Sequence, residues 1–211
     1  MISEYIYKTG EFFGKQTVLH RLVNSIRKVF QLLYSGFYGS QFLKVGKKFR
    51  LSYFVRLISG ARYIQIGDYF NCFPGLRMEA IKLDNSEAPV LTIGNHVSFN
   101  HNCQINCVNK IVIQDGVLLA SNVFITDHFH GRMILSDLNI RPSLREIYSK
   151  GPVIIEENVW IGQNVSVMPN VKIGRGSVIG ANSVVTCDIP PYSVAGGTPA
   201  ILIHTRQNNG S

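Results

Sequence analysis

The 211-residue sequence predicts an all-β solenoid of six-residue units, preceded by a helical segment. Three observations carry this reading. From Ile155 the chain cuts without a slip into IEENVW, IGQNVS, VMPNVK, IGRGSV, IGANSV and VTCDIP, with Ile or Val always first and Val, Ser or Ile fifth. Gly, Asn and Asp crowd the positions between, where corners need them. Before residue 45 the apolar spacing changes to three and four, the period of a helix. Neither a helix nor a plain strand explains a strict six. A repeat of that length marks a coil in which each short strand turns onto the next face.

Taken in order, residues 1–44 form the helical segment. Leu19, Leu22, Ile26, Val29 or Phe30, Leu33 and Phe37 recur at helical spacing, with Arg21, Asn24, Arg27, Lys28 and Gln31 between them. The first expectation for this helix is a cap on the open end of the coil, and the second a surface for an anionic membrane or a phosphate-bearing acceptor. Residues 45–200 form the solenoid. The six-residue phase is visible in VGKKFR and LSYFVR from Val45, in IGDYFN from Ile66, in IGNHVS from Ile93 and in IQDGVL from Ile113. Insertions near 60, 81, 108 and 131 reset the register without ending it, the longest spanning 131–154. Grouped in threes, the hexads make about six coils, a prism on the order of 29 Å tall at the usual strand spacing. Residues 201–211 are a C-terminal tail.

Composition narrows the function. Cys72, Cys103, Cys107 and Cys187 form no CxxC pair and no signal-like segment follows Met1, so a reducing, cytoplasmic setting is expected. No run of about 18 apolar residues marks a membrane span. The net charge of +8 is uneven: residues 1–62 hold eleven Lys/Arg against Glu4 and Glu11, and the remainder is close to neutral. The positive charge therefore acts at the N-terminal end.

Two stretches interrupt the monotony, "TDHFHG" at 126–131 and "NVWIG" at Asn158–Gly162, and "VVTCDIPPYSVAGGTPA" closes the chain. In these the sequence resembles the hexapeptide-repeat acyltransferases, which fold as a left-handed parallel β-helix, and it is most similar to the galactoside, maltose and lipopolysaccharide O-acetyltransferases. The resemblance implies acetyl-CoA as donor, a sugar or glycan acceptor and a homotrimer with sites between subunits. It implies no metal and no nucleic acid.

Acetyl transfer to a hydroxyl needs a base titrating near neutrality, which is histidine's range. By resemblance that base is His128, with His130 as rival or as an acceptor contact. Asp127 either orients a neighbouring imidazole or makes a local Asx turn, and the turn is the expected role. Gly162 is expected to offer a backbone N–H to the oxyanion, and Trp160, the sole tryptophan, to wall the reaction centre. Gln163, Ala181 and Thr186 match the groove for coenzyme A. The family's basic residues for the phosphates are replaced by Cys187, Ile201 and His204, leaving Arg206, Lys172 or Arg175 for that task. Asn100 and Asn102 match a sugar-contacting pair, and equally suit left-handed corners.

The expected function is acetyl-CoA-dependent O-acetylation of a bacterial surface polysaccharide, lipopolysaccharide O-antigen or capsule, or of its lipid-linked precursor. The enzyme would be cytoplasmic, in peripheral contact with the inner membrane. Two other classes stand beside it. One is a hydrolyase similar to the γ-carbonic anhydrases, for which His96, His101, His128 and His130 would supply zinc ligands. The other is a non-catalytic trimeric module.

Overall fold

The computed structural model describes residues 2–15, 17–82, 90–132 and 134–205, and leaves the side chains of residues 2, 5 and 12–20 outside that description. Two helices, α1 (Ile2–Lys15) and α2 (Thr17–Gly39), precede three parallel sheets. The sequence reading had singled out only the second helix. Strands Lys44–Val45, Ile64–Ile66, Leu91–Ile93, Ile111–Ile113, Val153–Ile155 and Lys172–Ile173 stack as a first face. A second face stacks Arg50–Leu51, Asn71–Cys72, Ser98–Phe99, Leu118–Leu119, Trp160–Ile161 and Val178–Ile179. The third stacks Leu57–Ser59, Arg77–Ala80, Gln104–Cys107, Phe124–Thr126, Ser166–Val167 and Val184–Val185. Each sheet runs in chain order and the chain visits the three faces in turn, which gives six coils among the described residues.

The hexad explains each coil. First positions Ile155, Ile161, Val167, Ile173, Ile179 and Val185 point inward and are buried, as are fifth positions Val159, Val165, Val171, Ser177, Ser183 and Ile189. Fourth positions Asn158, Asn164, Asn170, Gly176 and Asn182 take left-handed backbone at φ between 57° and 66° and turn the corner. Asn and Gly pay least for that conformation, which accounts for their place in the repeat. Sixth positions, Trp160 and Ser166 among them, face outward. The interior is thus a column of Ile, Val, Leu, Phe and Cys running the length of the prism.

Past the sixth coil, Ser193–Gly197 continues the second face and Ala200–Thr205 returns antiparallel beside it, so the first part of the expected C-terminal tail is an edge strand. The 131–154 insertion follows a hairpin strand, Phe129–His130, returns as Ile147–Tyr148 to pair with it, and holds a one-turn helix α3 (Leu135–Leu138) between. At the other end α2 lies against the first coil. The Ser35 hydroxyl accepts from the Leu51 N–H at 3.0 Å, and Tyr34 Oη accepts from the Val55 N–H at 3.1 Å, pairing main chain that has no coil beneath it. The cap is therefore polar and aromatic. The cap on the open end is thus as expected, and the apolar stripe of α2 faces away from the coil: Leu33 is 65% and Phe37 66% exposed.

Candidate active site

The repeat is interrupted on four successive coils at one corner, where the third face gives way to the first, and two neighbouring interruptions build the site. One coil leaves Cys107 through Val108, Asn109 and Lys110 before rejoining at Ile111. The next leaves Thr126 through Asp127 and His128 into the long insertion. The two breaks meet. The Asp127 carboxylate, fully buried, accepts from the backbone N–H groups of Val108 at 2.9 Å, Asn109 at 2.8 Å and Lys110 at 2.8 Å. The Cys107 thiol donates to it at 3.3 Å. Three consecutive N–H groups converging on a carboxylate form a nest that favours negative charge.

Asp127 also lies 3.1 Å from Nδ1 of His128. A carboxylate can only accept, so the imidazole carries its proton on Nδ1 and Nε2 is left to take another. The Thr126 hydroxyl, 3.3 Å from the same nitrogen, donates to the His128 carbonyl and steadies the turn. Burial alone would raise the Asp127 pKa, but the bonds from His128, Val108 and Asn109 overcome it and hold the carboxyl below its ordinary value. Burial, and then the adjacent Asp127 charge, pushes the Cys107 thiol up, so it stays protonated and remains a donor. Asp127 is thus not the local Asx turn expected from sequence. Its partners lie 17 to 19 residues earlier, and it orients His128.

The other residues singled out fall into two groups. Val167 pairs with Ile125 below and Val185 above, which puts Thr186 on the same edge as His128, two coils higher. His130 is exposed on the hairpin strand, opposite Ile147. Asn100, Asn102, Gly162, Gln163 and Ala181 collect at the corner between the second and third faces. There the Asn182 N–H donates to the Gln163 carbonyl at 2.8 Å. The Asn102 amide donates to Asn122 Oδ1 at 3.2 Å, Asn122 to Asn164 at 2.9 Å and Asn164 to Asn182 at 2.9 Å, a ladder up the prism edge. Asn102 is a rung of that ladder, in the left-handed backbone that suits a corner.

Gly162 departs from expectation as well. Its N–H donates to Ile179 O at 2.8 Å and is not free to meet an oxyanion. A Cβ there would sit 2.7 Å from the Ala181 nitrogen, so glycine serves the close stacking of two coils. Trp160 is half exposed on the second face, between Leu118 below and Val178 above. Lys172 is paired with Glu156 at 2.8 Å. Arg206 lies outside the described residues. His96 stacks on Tyr69 at 4.6 Å and His101 leans on Phe73 at 5.1 Å, at two different corners of one coil. Among the described residues no three His, Cys, Asp or Glu side chains converge as metal ligands would.

A three-faced coil of hexads with an Asp-oriented histidine where the repeat is interrupted defines a transferase of the hexapeptide class. The pattern described as "Bacterial transferase hexapeptide (six repeats)" matches residues 152–187. A putative lipopolysaccharide biosynthesis O-acetyl transferase, WbbJ, of Escherichia coli K12 is 39% identical over an alignment covering 66% of this chain and 70% of that protein. The galactoside O-acetyltransferase of the same strain is 41% identical over 53% of this chain and 52% of its own length. Among solved structures, the N-acyltransferase AntD from Bacillus cereus, in complex with dTDP and 3-hydroxybutyryl-CoA, superposes with a TM-score of 0.65. That match covers 82% of this chain and 88% of AntD, and at 19% identity it speaks for the fold. The chain belongs to the hexapeptide-repeat acyltransferase family and is an acyltransferase.

Proposed function

We propose that the chain is an O-acetyltransferase that carries acetyl from acetyl-CoA to a sugar hydroxyl of a bacterial surface polysaccharide, lipopolysaccharide O-antigen or capsule, or of its lipid-linked precursor. The observation that carries this is the Asp127-held His128 at the interrupted corner of an acyltransferase coil. The relatives named as lipopolysaccharide and galactoside O-acetyltransferases support the acceptor class.

Each residue then has a task. His128 Nε2 takes the acceptor hydroxyl's proton as its oxygen attacks the thioester carbon. Asp127 stabilises the imidazolium that forms, and His128 returns the proton to the departing thiolate sulfur. Atoms and charge balance without a covalent enzyme intermediate. Gln163 and the small Ala181, both exposed on an edge where two coils approach closely, fit a pantetheine arm passing along the main chain, and Thr186 flanks it on the other edge. Arg175 and Arg206 are the cations offered to the phosphates. Asn100 and His130 are the acceptor contacts, and Trp160 walls the site.

In one chain the edge of His128 and Thr186 is separated from the edge of Gly162, Gln163 and Ala181 by the whole third face. A left-handed coil assembled as a homotrimer brings the two edges of neighbouring copies together, and this is the assembly we propose. The proposed division is residues 1–44, 45–200 and 201–211, with the start of the last segment packed as an edge strand on the second. No helix among the described residues is long and apolar enough to cross a membrane, and a cytoplasmic enzyme in peripheral contact with the inner membrane fits a lipid-linked acceptor. The test is incubation of purified protein with radiolabelled acetyl-CoA and the glycan fraction of its source. Label appearing as alkali-labile ester on glycan supports the reading. Label confined to acetate, or to amine, removes it.

A further inference from the structure

The outward stripe of α2 needs an occupant. Leu22, Ile26, Val29, Leu33 and Phe37 form one continuous apolar side, while Asn24, Gln31, Ser35 and Tyr38 are spaced to face the coil, and every member of the apolar set is exposed. The charge nearby is one-sided. Between residues 17 and 62 there are nine Lys/Arg, namely Arg21, Arg27, Lys28, Lys44, Lys47, Lys48, Arg50, Arg56 and Arg62, all exposed, and no Asp or Glu. Lys28 and Arg50, with Gln31 and Leu32, line a cleft of about 260 Å³ between α2 and the second face, and Lys48 and Arg50 continue it.

A second, independent feature marks the same end. At the corner where higher coils set Asn, the first coil sets Phe54, in left-handed backbone at φ 64° and 79% exposed. Tyr69 and Tyr192 share that backbone at other corners but are about half as exposed, so what sets Phe54 apart is a ring presented almost wholly to the outside. Its neighbour Tyr53 donates its hydroxyl to the Arg27 carbonyl, which ties this corner to α2.

The geometry points to this end of the prism as a surface that docks on an anionic phospholipid bilayer, with α2 lying in the plane of the interface. The apolar stripe and Phe54 enter the acyl boundary, and the basic side chains and the Lys28–Arg50 cleft meet lipid phosphates. A second copy is the poorer occupant, because joining stripes would gather these unopposed cations at one place. An anionic bilayer neutralises them. The inference deepens the peripheral membrane contact proposed above and rests on the docking surface, not on the chemistry at His128.

Co-sedimentation of the full chain with vesicles tests it, without substrates. Vesicles of equal parts phosphatidylglycerol and phosphatidylcholine should retain the protein, with retention falling as salt rises, and pure phosphatidylcholine should not. Replacing Arg21, Arg27 and Lys28 together with Gln should weaken retention on the order of a hundredfold, about fivefold per cation near a charged membrane. Phe30→Ser with Leu33→Ser should also release the protein at an unchanged melting temperature, since both side chains are exposed. Equal retention on both vesicles, or none on either, overturns the proposal. So does a fall in melting temperature with the Ser pair, which would make the stripe a structural seam, or a fall in light-scattering mass, which would make a second copy the occupant. Acetyl transfer to a soluble acceptor, measured separately, should be unchanged in both variants. Loss of transfer in the native chain would touch the proposed function and leave the docking result standing.

Discussion

Two corners of the same prism use the same residue types to opposite ends. Between the second and third faces, Asn102, Asn122, Asn164 and Asn182 share φ values of 58° to 60° and pass amide hydrogen bonds from coil to coil. Each rung repeats the one below, and the corner is complete in itself. Between the third and first faces the repeat fails on four successive coils, and the failures at 108–110 and 127–152 are complementary. Val108–Lys110 supplies a nest of N–H groups and Asp127 fills it, which fixes His128. Regularity builds the scaffold, and the proposed chemistry sits where regularity is given up. Asp127, held by neighbours one coil away, is buried like a core residue, and it fixes the partly exposed His128 beside it.

Breaking the irregular corner should cost far more activity than breaking the regular one. His128→Ala should lower the transfer rate by about 10²–10⁴, the usual worth of a general base, while acetyl-CoA affinity by calorimetry stays within a few fold. Asp127→Asn should lower the rate by roughly 10²-fold, because the amide cannot orient Nδ1–H as the carboxylate does. It should also cost on the order of 3 kcal/mol of stability in urea unfolding, since several buried donors lose a charged acceptor. That variant sharpens a pH prediction too. The Asp127 pKa is depressed in the fold, so its contribution is fully present above the ordinary carboxylate value near 4 and is lost as pH falls through the lower folded value. The stability difference between native protein and Asp127→Asn should therefore shrink below about pH 4 and be flat from there to neutrality.

Asn122→Ala breaks the regular corner instead. It should cost roughly 2 kcal/mol, from left-handed backbone forced on an L side chain and from lost ladder bonds, at a turnover per folded enzyme that is close to native. Smallest of all, His130→Ala should lower the rate less than tenfold, because His130 is exposed on the hairpin and not held by Asp127. A larger loss at His130 than at His128 would move the base two residues along.

Most of the scaffold was legible in the sequence because the hexad prescribes it locally: inward Ile155, outward Trp160 and a left-handed Asn158 follow from position alone. His128 was legible through its place beside the long insertion. What sequence could not supply was contact between breaks. The insertion at 108 and the Asp-His pair at 127 are far apart along the chain and adjacent only because one coil stacks on another, so Asp127 read as a local turn. Gly162 misled for the same reason, since whether its N–H is free depends on Ile179 in the coil above. The helix was legible as a cap but not in its orientation. Periodicity locates an apolar stripe but not the side that meets the core, and here Ser35 and Tyr34 meet it.

The claim that Asp127 acts through His128 is tested most directly by a double-variant cycle on the transfer rate. If the carboxylate serves only to hold and charge-balance the imidazole, Asp127→Asn with His128→Ala should be no slower than His128→Ala alone, with acetyl-CoA affinity unchanged throughout. Losses that multiply, so that the double variant is slower than either single variant by the product of the two, would mean that the residues act independently and that the interrupted corner is not one catalytic unit.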